Sequence, residues 1–108
     1  MRKGVAEFCV LAVLAGREAY GYEILSEISK FDGLALRESS LYLLLGRLAK
    51  EGHVTARSVP SEKGPPRRYF RVTESGAARL KEMRAFWAGF ARDVDSLVGG
   101  AVEEAKDG

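Results

Sequence analysis

Residues 37–52, RESSLYLLLGRLAKEG, decide how the rest of the 108-residue chain is read. The stretch predicts one helix of about four turns. Gly52 closes it, because glycine enters the left-handed conformation of a helix C-terminus without steric cost. Leu41, Tyr42, Leu45 and Leu48 recur at three- and four-residue intervals and form the expected inward face. Ser39, Ser40, Arg47 and Lys50 then look elsewhere. A short helix with small residues at its start and cations at its end suits a DNA groove. It equally suits the third helix of any small helical protein, so its neighbours must decide.

Upstream, residues 3–15 read as a first helix that is apolar around most of its circumference after Phe8, with Gly16 ending it. The opening Met1-Arg2-Lys3 and the run FCVLAVLA (residues 8–15) imitate a secretion signal. Glu7 interrupts that pattern and no small-x-small cleavage site follows, so a core helix is the better reading, and the run is too short to span a bilayer. Tyr20-Gly21-Tyr22 opens a second helix whose buried stripe is Ile24, Leu25 and Ile28, with Phe31 at its far end. Asp32-Gly33 is a turn, and Leu34 and Leu36 bridge to the third helix.

Downstream the period changes. Residues 53–59 (HVTARSV) and 67–72 (RRYFRV) read as strands, joined by the turn-rich PSEKGPP of residues 60–66. Thr73 is a natural N-cap for the last helix. There, Ala77, Leu80, Met83, Trp87, Phe90, Val94, Leu97 and Ala101 recur at three- and four-residue intervals, widened by Phe86 and Val98. Gly99-Gly100 is expected to end this helix and leave a mobile acidic tail.

Composition narrows the function classes. With 46% apolar and 30% charged residues, the chain is globular. Its net charge of +2 is unevenly spread. Residues 57–71 carry five cations against one acid, and residues from 93 onward carry five acids against one lysine. A basic middle implies an anionic partner there. Cys9 stands alone, so no internal disulfide forms; it reads as a buried thiol in a protein of the reducing cytoplasm. The lone His53 has no cysteine or paired carboxylate at metal or catalytic spacing, so no enzyme, metal or cofactor is expected.

Three helices, a hairpin and a long helix give an α+β, mainly helical class: a winged helix-turn-helix with a long C-terminal dimerisation helix. Residues 1–73 form the expected DNA-binding domain and residues 74–108 the dimerisation helix with its acidic tail. The seam is too long for its own domain to cover, so a second copy is the economical partner. Phe8, Leu80, Met83, Phe86, Trp87, Phe90, Val94 and Leu97 are the expected dimer and effector surface, where aromatics at a two-fold leave room for a small planar ligand. The DNA contacts expected are Tyr22, Ser39, Ser40, Leu43, Arg47 and Lys50, with Lys63, Arg67 and Arg68 on the wing.

The sequence resembles the PadR family of transcriptional regulators, short type, over roughly residues 6–98. Tyr20-Gly21-Tyr22-Glu23-Ile24 matches its second-helix motif. Ser40-Leu41-Tyr42, with Leu45, Arg47, Leu48 and Gly52, matches its recognition helix. Gly64, Arg67 to Val72 and Thr73-Glu74-Ser75-Gly76 match its wing and the run that follows. The resemblance implies a homodimeric repressor of a pseudo-palindromic operator on double-stranded DNA, responsive to small aromatic or drug-like molecules, without catalytic activity. Three positions depart from the pattern. Leu43 replaces a proline or small polar residue, and Gly46 replaces a cation. Arg37 replaces the usual cap, so the helix is expected to start later, from Ser39. Leu43 and Gly46 motivate the alternative of a dimeric protein-interaction module without specific operator binding.

Overall fold

The computed structural model describes residues 3–107, with side chains described for residues 4–103. Its elements are α1 (Lys3–Gly16), β1 (Ala19–Tyr20), α2 (Gly21–Ser29), α3 (Glu38–Lys50), β2 (Val54–Val59), β3 (Arg67–Val72) and α4 (Glu74–Asp107). The strands form an antiparallel sheet in the order β1-β3-β2. This is a winged helix with a long C-terminal helix.

The core is built around α1, which supplies Val10, Leu11 and Leu14. Ile24 and Ile28 of α2, Leu41, Leu44, Leu45 and Leu48 of α3, and Val54 and Phe70 of the sheet close over them. Phe70 faces inward from β3, paired with Ala19 on one side and Ala56 on the other. Leu80 and Met83 of α4 pack against this core, and the 34-residue helix, about 51 Å long in all, continues past it. The molecule is accordingly elongated, 66 × 27 × 20 Å.

Five expectations are corrected. First, α3 starts at Glu38, not from Ser39. Arg37 takes the extended cap position (φ −77°, ψ 145°) without a side-chain cap bond, and its carbonyl accepts the Leu41 N–H. Second, Tyr42 is 49% exposed and Leu44 is buried in its place. The Tyr42 ring lies over Gly21, at the start of α2, instead of entering the core. Third, α2 stops at Ser29 and Phe31 is exposed, since the chain turns at Asp32-Gly33. Fourth, Ala19 and Tyr20 form a third strand, where Tyr20 was expected to open the second helix. Fifth, α4 continues through Gly99-Gly100 to Asp107 with no positive φ at either glycine.

The end of α3 is a fixed joint. Gly52 adopts φ +82°. The His53 N–H reaches the Leu48 carbonyl at 2.8 Å and the Gly52 N–H reaches Ala49 at 3.1 Å, the paired bonds of a Schellman cap. The His53 carbonyl then accepts the Thr73 N–H at 3.0 Å. Thr73 Oγ1 donates to the Gly52 carbonyl at 2.7 Å and accepts the Gly76 N–H at 3.0 Å, so it caps α4 as expected. His53 Nδ1 lies 2.9 Å from Ser75 Oγ in the same joint.

Two glycines test this packing in opposite directions. A Cβ on Gly76 would lie 2.0 Å from the His53 carbonyl oxygen. Gly76→Ala therefore forces α4 away from the joint and is expected to cost about 1–3 kcal/mol or more. A Cβ on Gly46 meets nothing within 4 Å. Gly46→Ala is expected to stabilise the protein by about 0.5–1 kcal/mol through helix propensity. Urea denaturation of both variants measures the contrast.

Candidate nucleic-acid interface

The outward side of α3 is where a duplex would be met. Ser39, Ser40, Leu43, Gly46 and Lys50 are all exposed, Leu43 at 78%. The unpaired backbone N–H groups of the first turn lie at the same end, where the helix dipole favours anions. Arg47 is placed differently. It is half-buried and already engaged, 3.1 Å from Glu51 and 3.4 Å from Glu7. Ser40, Leu43 and Arg47 line one hollow with Ala6 and Leu36, on the flank of α3 nearer α1.

The other flank of α3 faces the wing. Between Tyr42 and the hairpin tip lies a cleft of about 410 Å³, lined by Tyr20, Tyr42, Ser61, Lys63, Arg67 and Arg68. Gly64 turns the tip with φ +127°. Below the tip, cations and rings alternate by strand pairing. The Arg67 guanidinium sits 4.7 Å over the Tyr20 ring. Tyr20 meets Tyr69 edge-on at 5.3 Å, and Arg57 lies 5.8 Å over Tyr69. Arg68 lies 5.4 Å over Phe70. Such stacking orients a guanidinium while leaving its N–H edges able to donate. Tyr22 is exposed and stacked at 6.4 Å on Tyr20, which joins it to the same aromatic group. Glu23 orders this entry to α2 by accepting the Tyr20 N–H at 3.2 Å and pairing with Arg17 at 3.0 Å. Arg57 is tied to Glu18 through two hydrogen bonds, which hold the Glu18 carboxyl below its ordinary range.

The structure thus brings Lys63, Arg67 and Arg68 to one cleft beside α3, with Tyr22 nearby and the helix-start serines on the exposed face. Tyr20 and Tyr42 belong to this site and went unnoticed as site residues in the sequence. The only signal in the sequence was chemical: a tyrosine carries an apolar ring with a polar tip, which suits the edge of a polar cleft.

A second surface lies along α4. Phe8 of α1 and Met83, Phe86, Trp87 and Phe90 of α4 line an open hollow of about 640 Å³, with Arg79 and Glu82 at its rim. Phe86 and Phe90 stack at 6.1 Å, and Trp87 lies 5.8 Å from Phe90. Five of the eight expected seam residues therefore share one cavity. Leu80 instead packs on the core, and Val94 and Leu97 lie further along the helix, exposed.

Glu7 joins the two regions, and the sequence reading had noted it only as an interruption. It is the buried charged residue of the described core, 4% exposed. Its Oε1 accepts from Arg79 Nε of α4 at 3.1 Å and its Oε2 from Arg47 of α3 at 3.4 Å. Burial alone would raise the carboxyl pKa, but the hydrogen bonds and charge of Arg79, then Arg47, outweigh it and hold it below the ordinary value. Burial raises the Cys9 thiol pKa, as expected of a packed cysteine. Among the described residues no three His, Cys, Asp or Glu side chains are grouped as a metal would require, and no helix is long and apolar enough to cross a membrane.

Because the Glu7 pKa is lowered on folding, its stabilisation is complete above about pH 4.5 and is lost as pH falls through the lowered folded value. Glu7→Gln is expected to cost about 1–3 kcal/mol at pH 7. Its stability deficit relative to the parent should shrink on acidification below about pH 4. Denaturation curves from pH 7 to pH 3 measure this; a deficit that stays constant would contradict the ion-pair assignment.

Residues 10–82 match the transcriptional regulator PadR-like family. An uncharacterised protein of Lysinibacillus sphaericus is 30% identical over 100 residues, covering 91% of this chain and 92% of that one. Among solved structures, a PadR-like transcriptional regulator from Bacillus cereus is 33% identical, with a TM-score of 0.78 over 89% of this chain and 93% of that one. Bacillus subtilis PadR, solved in complex with operator DNA, is 26% identical, with a TM-score of 0.68 over 72% of this chain and 45% of the other. The chain belongs to the PadR-like family of transcriptional regulators.

Proposed function

We propose that this regulator is a cytoplasmic homodimer that binds a pseudo-palindromic operator, acts as a repressor, and is released by a small planar aromatic effector. Residues 1–73 form the DNA-binding unit and residues 74–108 the dimerisation helix. The observation that carries the DNA reading is the convergence of Lys63, Arg67 and Arg68 on one cleft beside α3. Three cations next to an exposed helix start suit a phosphate backbone flanking a groove. The relative solved in complex with operator DNA supports a DNA-binding reading of this chain. Ser39 and Ser40 would donate from the helix start, Tyr22, Arg47 and Lys50 would reach flanking phosphates, and Leu43 would meet a thymine methyl.

The dimer reading rests on α4, where Phe86 and Leu97 are each more than 70% exposed. A second copy laid along this helix would bury that stripe and close the aromatic hollow from the other side. Trp87 and Phe90 then supply flat apolar faces for a planar ligand.

One observation favours a second reading. Leu43 and Gly46 offer no hydrogen-bonding side chain, and Arg47 is already paired with Glu7 and Glu51. A dimeric interaction module without specific operator binding would show no sequence preference.

Selection of duplexes from a random-sequence library separates the two. The operator reading predicts an enriched inverted repeat, whose affinity falls steeply with salt. Arg67→Ala with Arg68→Ala should weaken binding at least tenfold, to order of magnitude, and reduce the salt slope by about two per protomer. Unchanged affinity in that double variant would overturn the wing assignment. For the effector, a panel of planar aromatics is expected to quench Trp87 fluorescence saturably, and Phe90→Ala should weaken the quenching; no quenching by any member would remove the pocket.

A further inference from the structure

We propose that Glu7 is a positioning residue that couples the α4 hollow to the recognition helix, by dividing one buried carboxylate between Arg79 and Arg47. This rests on the DNA-binding and effector readings above.

The geometry has three parts. The carboxylate is almost fully buried on α1, so solvent screens it less than a surface charge, although both guanidiniums reach the surface. Each oxygen has its own guanidinium, and the two guanidiniums come from different helices, Arg79 from α4 and Arg47 from α3. Arg79 also forms the rim of the hollow lined by Phe8, which follows Glu7 in sequence. A ligand seated in that hollow therefore meets the same guanidinium that holds Glu7 Oε1.

The two contacts compete. With Arg79 at 3.1 Å and Arg47 at 3.4 Å, Arg79 is the closer partner. While Arg79 is engaged, part of the Glu7 charge is neutralised and Arg47 is held loosely on the flank of α3. When Arg79 is drawn toward the hollow, the full charge of Glu7 falls on Arg47. Arg47 then tightens onto α1 and its charge is withdrawn from the DNA-facing side, where it lines a hollow with Ser40 and Leu43. Glu51, also 3.1 Å from Arg47, holds the guanidinium near the end of α3 in both arrangements. Effector occupancy is thereby converted into weaker phosphate affinity without any ligand contact to α3.

A double-mutant cycle tests this, using the full chain and a duplex enriched from the random-sequence library. Arg79→Gln is expected to lower duplex affinity about fivefold or more and to reduce the slope of log K against log[salt] by about 0.9 per protomer, the value of one phosphate contact. Arg79→Lys, which keeps the charge, should restore most of the affinity. In a Glu7→Gln background, Arg79→Gln should change affinity by less than about twofold, since the shared carboxylate is gone. If Glu7→Gln does not fold, an Arg47→Gln background asks the same question, and there too the Arg79 effect should vanish. A purely structural Glu7 would leave the Arg79 effect equal in all backgrounds, and that result overturns the coupling while leaving DNA binding intact. Absence of salt-dependent duplex binding by the parent protein would overturn the DNA reading itself, and the coupling with it.

Discussion

The joint at Gly52–His53 and Thr73–Gly76 is the constraint on which the rest of the structure depends. Here the end of the recognition helix, both ends of the wing and the start of the long helix meet through backbone bonds. The His53 N–H satisfies the Leu48 carbonyl while its own carbonyl satisfies Thr73. The Thr73 hydroxyl, in turn, bonds both Gly52 and Gly76. Two glycines make this possible for different reasons: Gly52 needs a positive φ, and Gly76 needs the space a Cβ would take. Such bonds are directional, so they fix angles that apolar packing alone would leave loose.

From that joint the functional surfaces follow. Because β2 leaves the end of α3 directly, the hairpin tip returns beside the start of α3, and the cleft between Tyr42 and Lys63 is a consequence of the connection. Because α4 starts at the end of β3, its first turns lie on α1, and Leu80 and Met83 complete the core. The helix then outruns the domain. Among the described residues its apolar stripe beyond Met83 stays largely exposed, which is the physical basis for reading it as an interface. Glu7 stands where these consequences meet, a buried charge that two helices must jointly neutralise.

Much of this was legible in the residues. Gly52 and Thr73 announced two helix boundaries through their own conformational and hydrogen-bonding chemistry. The leucines of residues 41–48 and the α4 stripe announced themselves by period. What was missed has no local period. A two-residue strand such as Ala19-Tyr20 is too short to alternate, and it exists because β3 offers a free edge. Tyr42 stands one residue from Leu41, about 100° around the helix, and Leu44 and Leu45 fill the inward arc in its place. The persistence of α4 through Gly99-Gly100 shows that a modest propensity cost did not end a long helix. Glu7 reaches Arg47 and Arg79 across 40 and 72 residues, and a carboxylate's partner at such separations is set by tertiary packing. The same packing explains why Arg47, basic and seemingly outward in sequence, is engaged on the flank of its helix.

The central claim is that α3 and the wing together form a duplex-binding surface, separate from the α4 seam. Amide hydrogen exchange of the protein, alone and with a saturating library-enriched duplex, tests it most directly. The account predicts new protection in residues 38–43 and in the hairpin tip, residues 60–68, with residues 86–97 of α4 already protected in the free protein and unchanged by DNA. Protection confined to α4, with none at the start of α3 or at the hairpin tip, would contradict it.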